Sequence, residues 1–290
     1  GNTLSEEKVT QQNFGFNRSP SKKVNLARKS VMQPGGKKTT IVDELECMKL
    51  FRKNNKHMES TMSLEHSLKG HYILGELDEK IREDIVRELP LYLIDSKVTL
   101  ITENTIGDNF YIIEEGAFEV YINNNLIRNL SDGDSFGELG ILYSTPRTAT
   151  IVSIKKSYVY VMDGKLLDKL LELLYKKNSS ECMQFLSSYK FTASLDVDQK
   201  TAFSNVLMKM TFKPGQQIIR EGDIPNAQFI IKEGEADVRN KDNKIIRVMK
   251  KFEVFGDISI LLNTFRTKSV FAKTKCVIYG LSKQSMINFN

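Results

Sequence analysis

The sequence is poor in the residues that thiol and metal chemistry need. Its three cysteines, Cys47, Cys182 and Cys276, lie far apart and are odd in number, so neither a disulfide framework nor a CxxC metal site can be drawn from them. The three histidines, His57, His66 and His71, precede the first strand-rich region, and no carboxylate or cysteine cluster accompanies them at zinc spacing. A histidine-based hydrolase and a metalloenzyme are therefore disfavoured, and no metal cofactor is expected. No apolar run approaches the roughly 18 residues of a spanning helix, and no apolar core of a secretory signal opens the chain. This predicts a cytoplasmic protein. Motifs of a kinase active site are also missing, with no GxGxxG followed by VAIK, no HRD and no DFG, so the chain is not expected to be an enzyme itself.

What is present fits two modest domains and a tail: 290 residues, 40% apolar and 27% charged. The net charge of +6 is unevenly placed. Residues 8–38 hold eight of the 42 basic residues and no acid, which leaves 34 basic against 36 acidic residues elsewhere. The basic stretch is rich in Ser, Asn and Gly and reads as a flexible arm rather than a nucleic-acid-binding face, and no nucleic-acid partner is expected.

Residues 1–60 read as tail and linker. Ile41, Leu45 and Met48 give a weak helical pattern, whereas Leu77, Ile81, Ile85 and Leu89 recur every fourth residue and stop at Pro90. From Val98 to about Met162 the period falls towards two, between Gly and Asn/Asp punctuation, as in short antiparallel strands. Leu166, Leu167, Leu170, Leu171, Leu173 and Leu174 then form an amphipathic helix, with a break expected at Lys176–Ser179. A second cycle begins near Glu181.

The second cycle copies the first. At an offset of 118, Leu100, Ile101, Glu103, Tyr111, Ile112, Ile113, Glu115, Gly116 and Val120 meet Ile218, Ile219, Glu221, Phe229, Ile230, Ile231, Glu233, Gly234 and Val238. After one inserted residue, Ile127, Arg128, Phe136, Gly137, Arg147 and Thr148 meet Ile246, Arg247, Phe255, Gly256, Arg266 and Thr267. Each copy is far longer than a solenoid repeat, so each is a domain, over 61–180 and 181–290, the second shortened at its closing helix.

The segment from Phe136 to Thr150, FGELGILYSTPRTAT, carries the chemistry. A glycine before a short apolar turn of helix leaves backbone N–H groups that favour an anion. Arg147 supplies a cation able to grip two phosphate oxygens, and Glu138 an acceptor suited to a sugar hydroxyl. Alone, either would more often belong to a surface ion pair between the two; together they describe a pocket for a phosphate joined to a ribose.

The stretch closely resembles the phosphate-binding cassette of the cyclic nucleotide-binding domain family, FGE, a short apolar helix, then PR(A/T)AT. Residues 107–113, GDNFYII, and Glu115-Gly116 resemble the early barrel turns of the same family. The resemblance implies an α+β fold of two tandem jelly-roll-like barrels with flanking helices. It implies Gly137 and Gly140 as backbone contacts, Glu138 on the ribose 2′-hydroxyl and Arg147 on the cyclic phosphate. Thr148, where cAMP-reading relatives usually carry Ala, is placed to accept from the guanine N2 amine, and Arg128 resembles an arginine that contacts guanine in cGMP-dependent protein kinases. Expected ligand is therefore cGMP. In the second copy Arg247, Gly256, Arg266 and Thr267 are kept, but Asp257 replaces the glutamate, Phe265 the proline and Lys268 a small residue. That pocket is weakened or purely structural.

The tail offers two motifs. If Gly1 follows a removed methionine, Gly1 to Ser5 fits a myristoylation signal, and the basic run 18–38 is the second signal that stable membrane attachment needs; a tag remnant would also leave Gly first. Arg28-Lys29-Ser30-Val31 and Lys37–Ile41 look like a basophilic kinase substrate or an autoinhibitory segment. The combined expectation is a regulatory region that answers cGMP by releasing a serine/threonine kinase catalytic domain, in cis or in trans. A cAMP-dependent kinase regulatory subunit is the alternative; a transcription factor would need a helix-turn-helix, and a channel would need spans.

Overall fold

The computed structural model describes residues 44, 48–52 and 58–288. It begins with strand β1 (Lys49–Arg52) and helices α1 (Met58–Gly70) and α2 (Glu79–Glu88). The first barrel follows: β2 (Leu91–Ile94), β3 (Thr99–Ile101), β4 (Asn109–Glu115), β5 (Ala117–Ile122), β6 (Asn125–Ser131), β7 (Ser135–Phe136), helix α3 (Glu138–Leu142), β8 (Thr150–Ser153) and β9 (Ser157–Asp163). Helices α4 (Gly164–Ser188) and α5 (Val197–Ser204) lead into the second: β10 (Leu207–Phe212), β11 (Gln217–Ile219), β12 (Ala227–Glu233), β13 (Ala236–Arg239), β14 (Ile245–Met249), β15 (Val254–Phe255), α6 (Asp257–Leu261), β16 (Ser269–Ala272), β17 (Cys276–Ser282) and α7 (Lys283–Asn288).

Each domain is a pair of antiparallel sheets, β1-β2-β9-β4-β7 with β3-β8-β5-β6, and β10-β17-β12-β15 with β11-β16-β13-β14. The two copies keep register element by element: Tyr111 faces Phe136 where Phe229 faces Phe255, and Val120 faces Arg128 where Val238 faces Arg247. The inserted residue falls in the hairpin between these pairs. The first copy turns on Asn123 and Asn124, both with positive φ as a tight hairpin demands, while the second uses a longer turn with Asn243 at φ 58°. β1 extends the edge of the first domain's sheet by pairing with β2, and no described strand does the same in the second.

Strand alternation sorts the apolar residues into two layers. Phe110, Ile112, Tyr160 and Met162 face a cluster shared with α2 and α4, and Tyr111, Ile113, Val159 and Val161 fill the first barrel. The shared cluster runs on through Met208, Met210 and Phe212 into the second barrel, so the two domains have a continuous apolar interior.

Three expectations from the sequence are corrected. Met48 is not helical, and Lys49–Arg52 form a strand, because pairing with β2 outweighs a weak local pattern. Leu91–Ile94, directly after Pro90, is also a strand, earlier than the expected start at Val98. No break occurs at Lys176–Ser179: α4 continues to Ser188, so the expected boundary at 180 falls inside it. Asn and Ser cost a helix only about 0.5 kcal/mol each, less than is gained when Leu170, Leu171 and Leu174 pack on one domain and Cys182, Phe185 and Leu186 on the other. Cys182 and Cys276 are buried thiols, pushed up to about 12 and about 11 by desolvation.

Ion pairs and a strand-to-loop bond fasten the domains. Lys209 on β10 reaches Glu76 and Glu181, and Glu181 also takes Lys232. Thr211 N donates to Tyr72 O at 2.9 Å, and the Tyr72 ring stacks on Phe212 with centroids 5.2 Å apart. Next to it, His71 Nδ1 accepts from Ile73 N and Leu74 N, both at 3.2 Å, which holds the imidazole neutral. Burial lowers its pKa from 6.5 to about 4. Because the folded value is depressed, His71 contributes stability above pH 6.5 that is lost as the pH falls towards 4. Urea denaturation across that window should show a fall of at most about 3 kcal/mol, flattened by His71→Asn.

Candidate functional site

Gly137 caps α3 with φ 92°, and a Cβ there would lie 2.9 Å from Asn109 O and 3.1 Å from Arg147 Nη1. Gly256 repeats this before α6, with φ 79° and Arg266 Nη1 2.7 Å from the same point. Glycine is needed at both for the backbone and for the approach of the arginine. Gly140 is different: its carbonyl accepts from Thr145 N, and the equivalent Ser259 fits with its side chain buried.

The Arg147 guanidinium is buried, with its side chain 2% exposed. Its backbone is fixed by bonds from Arg147 N to Thr105 O and from Asn104 N to Arg147 O, both 2.8 Å. Nη1 donates to Gly137 O, and Nη2 to Asn109 O at 2.8 Å. The outer fork, Nε and Nη2, grips the two oxygens of Glu44 at 2.7 and 2.6 Å. Tyr111 Oη donates to the same carboxylate at 2.8 Å. The ion pair between Arg147 and Glu138 that the sequence allows is not formed.

Arg266 has the same frame. It donates to Gly256 O and Ala227 O, and its backbone is tied to Asp223 and Gly222 as that of Arg147 is tied to Thr105 and Asn104. Among the described residues no carboxylate closes an ion pair on its fork. Burial lowers its pKa to about 10, against the charges of Tyr143, Asp223 and Asp257.

Glu138 is half-buried and accepts from Tyr72 Oη at 3.1 Å. Burial raises its carboxyl, opposed by its own backbone amide, by Arg128, by Tyr72 and by Arg147. Arg128 is exposed on β6, with its charge acting on Glu138 and on Asp223 of the second domain. Arg220 Nη1 donates to Ile127 O beside it at 3.3 Å. Thr148 is half-buried in the bend two residues before β8, a strand of the same sheet as β6, which carries Arg128. In the second copy Asp257 is half-buried at the start of α6, Thr267 is exposed, and Arg247 pairs with Glu253. The apolar turn there is uncovered, with Ile258 60% and Leu261 73% exposed, whereas Leu139, Ile141 and Leu142 pack on the core.

Each domain thus presents a glycine-capped turn of helix that begins with a carboxylate, and a buried arginine bonded to the capping glycine's carbonyl. Comparison with known proteins gives the same reading, since the profile described as the cyclic nucleotide-binding domain matches residues 94–173 and 209–289. The chain belongs to the cyclic nucleotide-binding domain family. It is 29% identical over 231 residues to a cAMP-dependent protein kinase regulatory subunit of Yarrowia lipolytica, covering 79% of this chain and 62% of that protein. It is 27% identical over 273 residues to a cGMP-dependent protein kinase of Plasmodium berghei, covering 93% of this chain and 31% of that protein. The chain therefore spans less than two thirds of either relative. A solved structure of the regulatory domain of Toxoplasma gondii PKA with cAMP aligns over 81% of this chain and 93% of its own, at 22% identity and a TM-score of 0.41.

Within this chain Arg147 bonds to Gly137, the charges of Arg147 and Arg128 both act on Glu138, and Gly140 accepts from Thr145 N in the turn between them. Glu44 and Tyr72 were not foreseen. Glu44 is 103 residues from its partner and carries no local signal, and Tyr72 sits in an irregular turn between helices. No group of three or more metal-ligating side chains is assembled among the described residues. Gly1, the basic run and the motifs at 28–31 and 37–41 lie outside the described residues.

Tyr72→Phe keeps the stacking on Phe212 but removes the donor to Glu138. It should cost about 1 kcal/mol in urea denaturation. The Glu138 carboxyl, followed by carbon NMR, should titrate at higher pH than in the unaltered protein.

Proposed function

We propose that this chain is a regulatory region that binds cGMP and thereby controls a serine/threonine protein kinase catalytic domain, in cis or in trans. The observation that carries nucleotide binding is the buried Arg147 guanidinium framed by Gly137, with Glu138 nine residues earlier under its charge: together they supply groups for a phosphate and a ribose. A kinase context is favoured by the relatives, which include both cGMP-dependent kinases and cAMP-dependent kinase regulatory subunits. Thr148 and Arg128 support guanine, because a hydroxyl there can accept from an N2 amine that adenine lacks. The cAMP-dependent regulatory subunit remains the second reading, favoured by the Yarrowia relative.

Nucleotide entering the first site would engage α3, which packs on α4, and α4 is the helix that both domains share. A population shift in that helix is how occupancy would reach a catalytic domain. Acylation at Gly1 with the basic run behind it would add reversible attachment to an anionic membrane, in an otherwise cytoplasmic protein.

Calorimetry tests the assignment. Arg147→Ala should weaken cGMP and cAMP together by roughly 10- to 150-fold, as expected for a lost charge-assisted hydrogen bond worth about 1.5–3 kcal/mol. Thr148→Ala should weaken cGMP alone and narrow the ratio between the two by roughly 2- to 13-fold. An unchanged ratio would return the base assignment to cAMP.

A further inference from the structure

The two arginines at the centres of the two sites are held alike on their inner side. Arg147 and Arg266 each donate inward to two backbone carbonyls, Gly137 O and Asn109 O in one, Gly256 O and Ala227 O in the other. They differ at the outer fork. On Arg147 it is filled by Glu44, whose side chain is 1% exposed, and on Arg266 no carboxylate among the described residues fills it.

We propose that Glu44 is an internal ligand of the first site, a carboxylate seated where the cyclic phosphate must bind, so that nucleotide and the segment carrying Glu44 compete for Arg147. This deepens the nucleotide-binding reading above and rests on it.

Four features support the competition. First, donor count: four of the five guanidinium N–H groups are already used, and the planar edge that grips a carboxylate through Nε and Nη2 is the edge that would grip two phosphate oxygens. Second, space: a Cβ on Gly107 would overlap Glu44 Oε1 and come within 2.7 Å of Arg147 Nε, so the absence of a side chain there opens the seat that the carboxylate fills. Third, the carboxylate is held from a second side by Tyr111 Oη at 2.8 Å, as a bound anion would be. Fourth, tethering: β1, which pairs with β2 at the edge of the first domain's sheet, starts at Lys49, five residues after Glu44, so the chain holds the carboxylate close to the seat at high effective concentration.

The energetic consequence follows from population arithmetic. A site that is open for a fraction of the time binds with an apparent affinity reduced by that fraction, so a seat filled 99% of the time would weaken nucleotide binding about 100-fold. Reciprocally, nucleotide in the seat must expel Glu44 and loosen the segment that carries it. Expulsion leaves no uncompensated charge in the site, since the phosphate takes over the pairing to Arg147 while the released carboxylate returns to water. The second site, with an open fork, would lack this gate.

The test uses the whole chain with Arg266→Ala, so that titration with cGMP and with cAMP reads the first site. Adding Glu44→Gln, which keeps the shape but removes the charge, should tighten both nucleotides by at least about 10-fold, and adding Arg147→Ala instead should weaken both. Equal affinity with and without Glu44→Gln, while Arg147→Ala still weakens binding, would overturn the competition and leave the nucleotide reading intact. Absence of binding in the parent and in Glu44→Gln alike would overturn that reading and the inference with it. A second measurement needs no substitution: saturating cGMP should raise amide hydrogen exchange across Met48–Arg52. Exchange there that stays unchanged with the first site filled would overturn the proposal equally.

Discussion

A buried guanidinium cannot be left short of acceptors, and the placement of Arg147 organises much of the first domain around that requirement. Its bonds reach the start of β4 at Asn109, the cap of α3 at Gly137 and the far N-terminal Glu44, while its own backbone is pinned to the loop at Asn104 and Thr105. The left-handed turn at Gly137 exists to bring a carbonyl to this group, and the bare Gly107 leaves room for an anion beside it. The second domain repeats the frame around Arg266 and leaves its outer fork without a carboxylate partner among the described residues.

The site and the domain junction are mechanically one object. Tyr72 touches Glu138 through its hydroxyl, Phe212 of the second barrel through its ring, and Thr211 through its carbonyl. α4 packs its first half on one domain and its second half on the other, and Glu181 within it takes lysines from β10 and β12. Burial works to raise the Glu181 carboxyl, yet the hydrogen bonds and charges of Lys209 and Lys232 prevail and lower it. A change at the first cassette therefore has short physical paths to the second domain, through packed rings and through a helix that cannot shift at one end alone.

The sites also illustrate how a duplicated domain diverges. Shortening Glu138 to Asp257, exposing the apolar turn at Ile258 and Leu261, and pairing Arg247 with Glu253 alter the second pocket's rim while its arginine frame stays as in the first. The rim faces solvent and tolerates change; the frame is buried, where an unmet N–H would be costly.

Legibility in the sequence followed the range of the interactions. The duplication, the capped turn, the arginine and carboxylate of the cassette and the alternating strands are local patterns, since hydrogen-bond geometry and side-chain alternation act over a few residues. The strands at Lys49–Arg52 and Leu91–Ile94 and the unbroken α4 were not legible, because each is decided by a partner elsewhere: β2 and β9 for the strands, two separate cores for the helix. Glu44 is the extreme case. Nothing around it marks it as different from the other 35 acidic residues, and only the folded chain, by bringing it 103 positions to a buried guanidinium, makes it part of the site. The sequence by itself thus determined the family, the two cassettes and the chemistry they favour, all written in short motifs. Tertiary structure alone decided what occupies the first anion seat and what joins the domains, because burial and charge pairing depend on which distant groups the fold places within a few ångströms of each other.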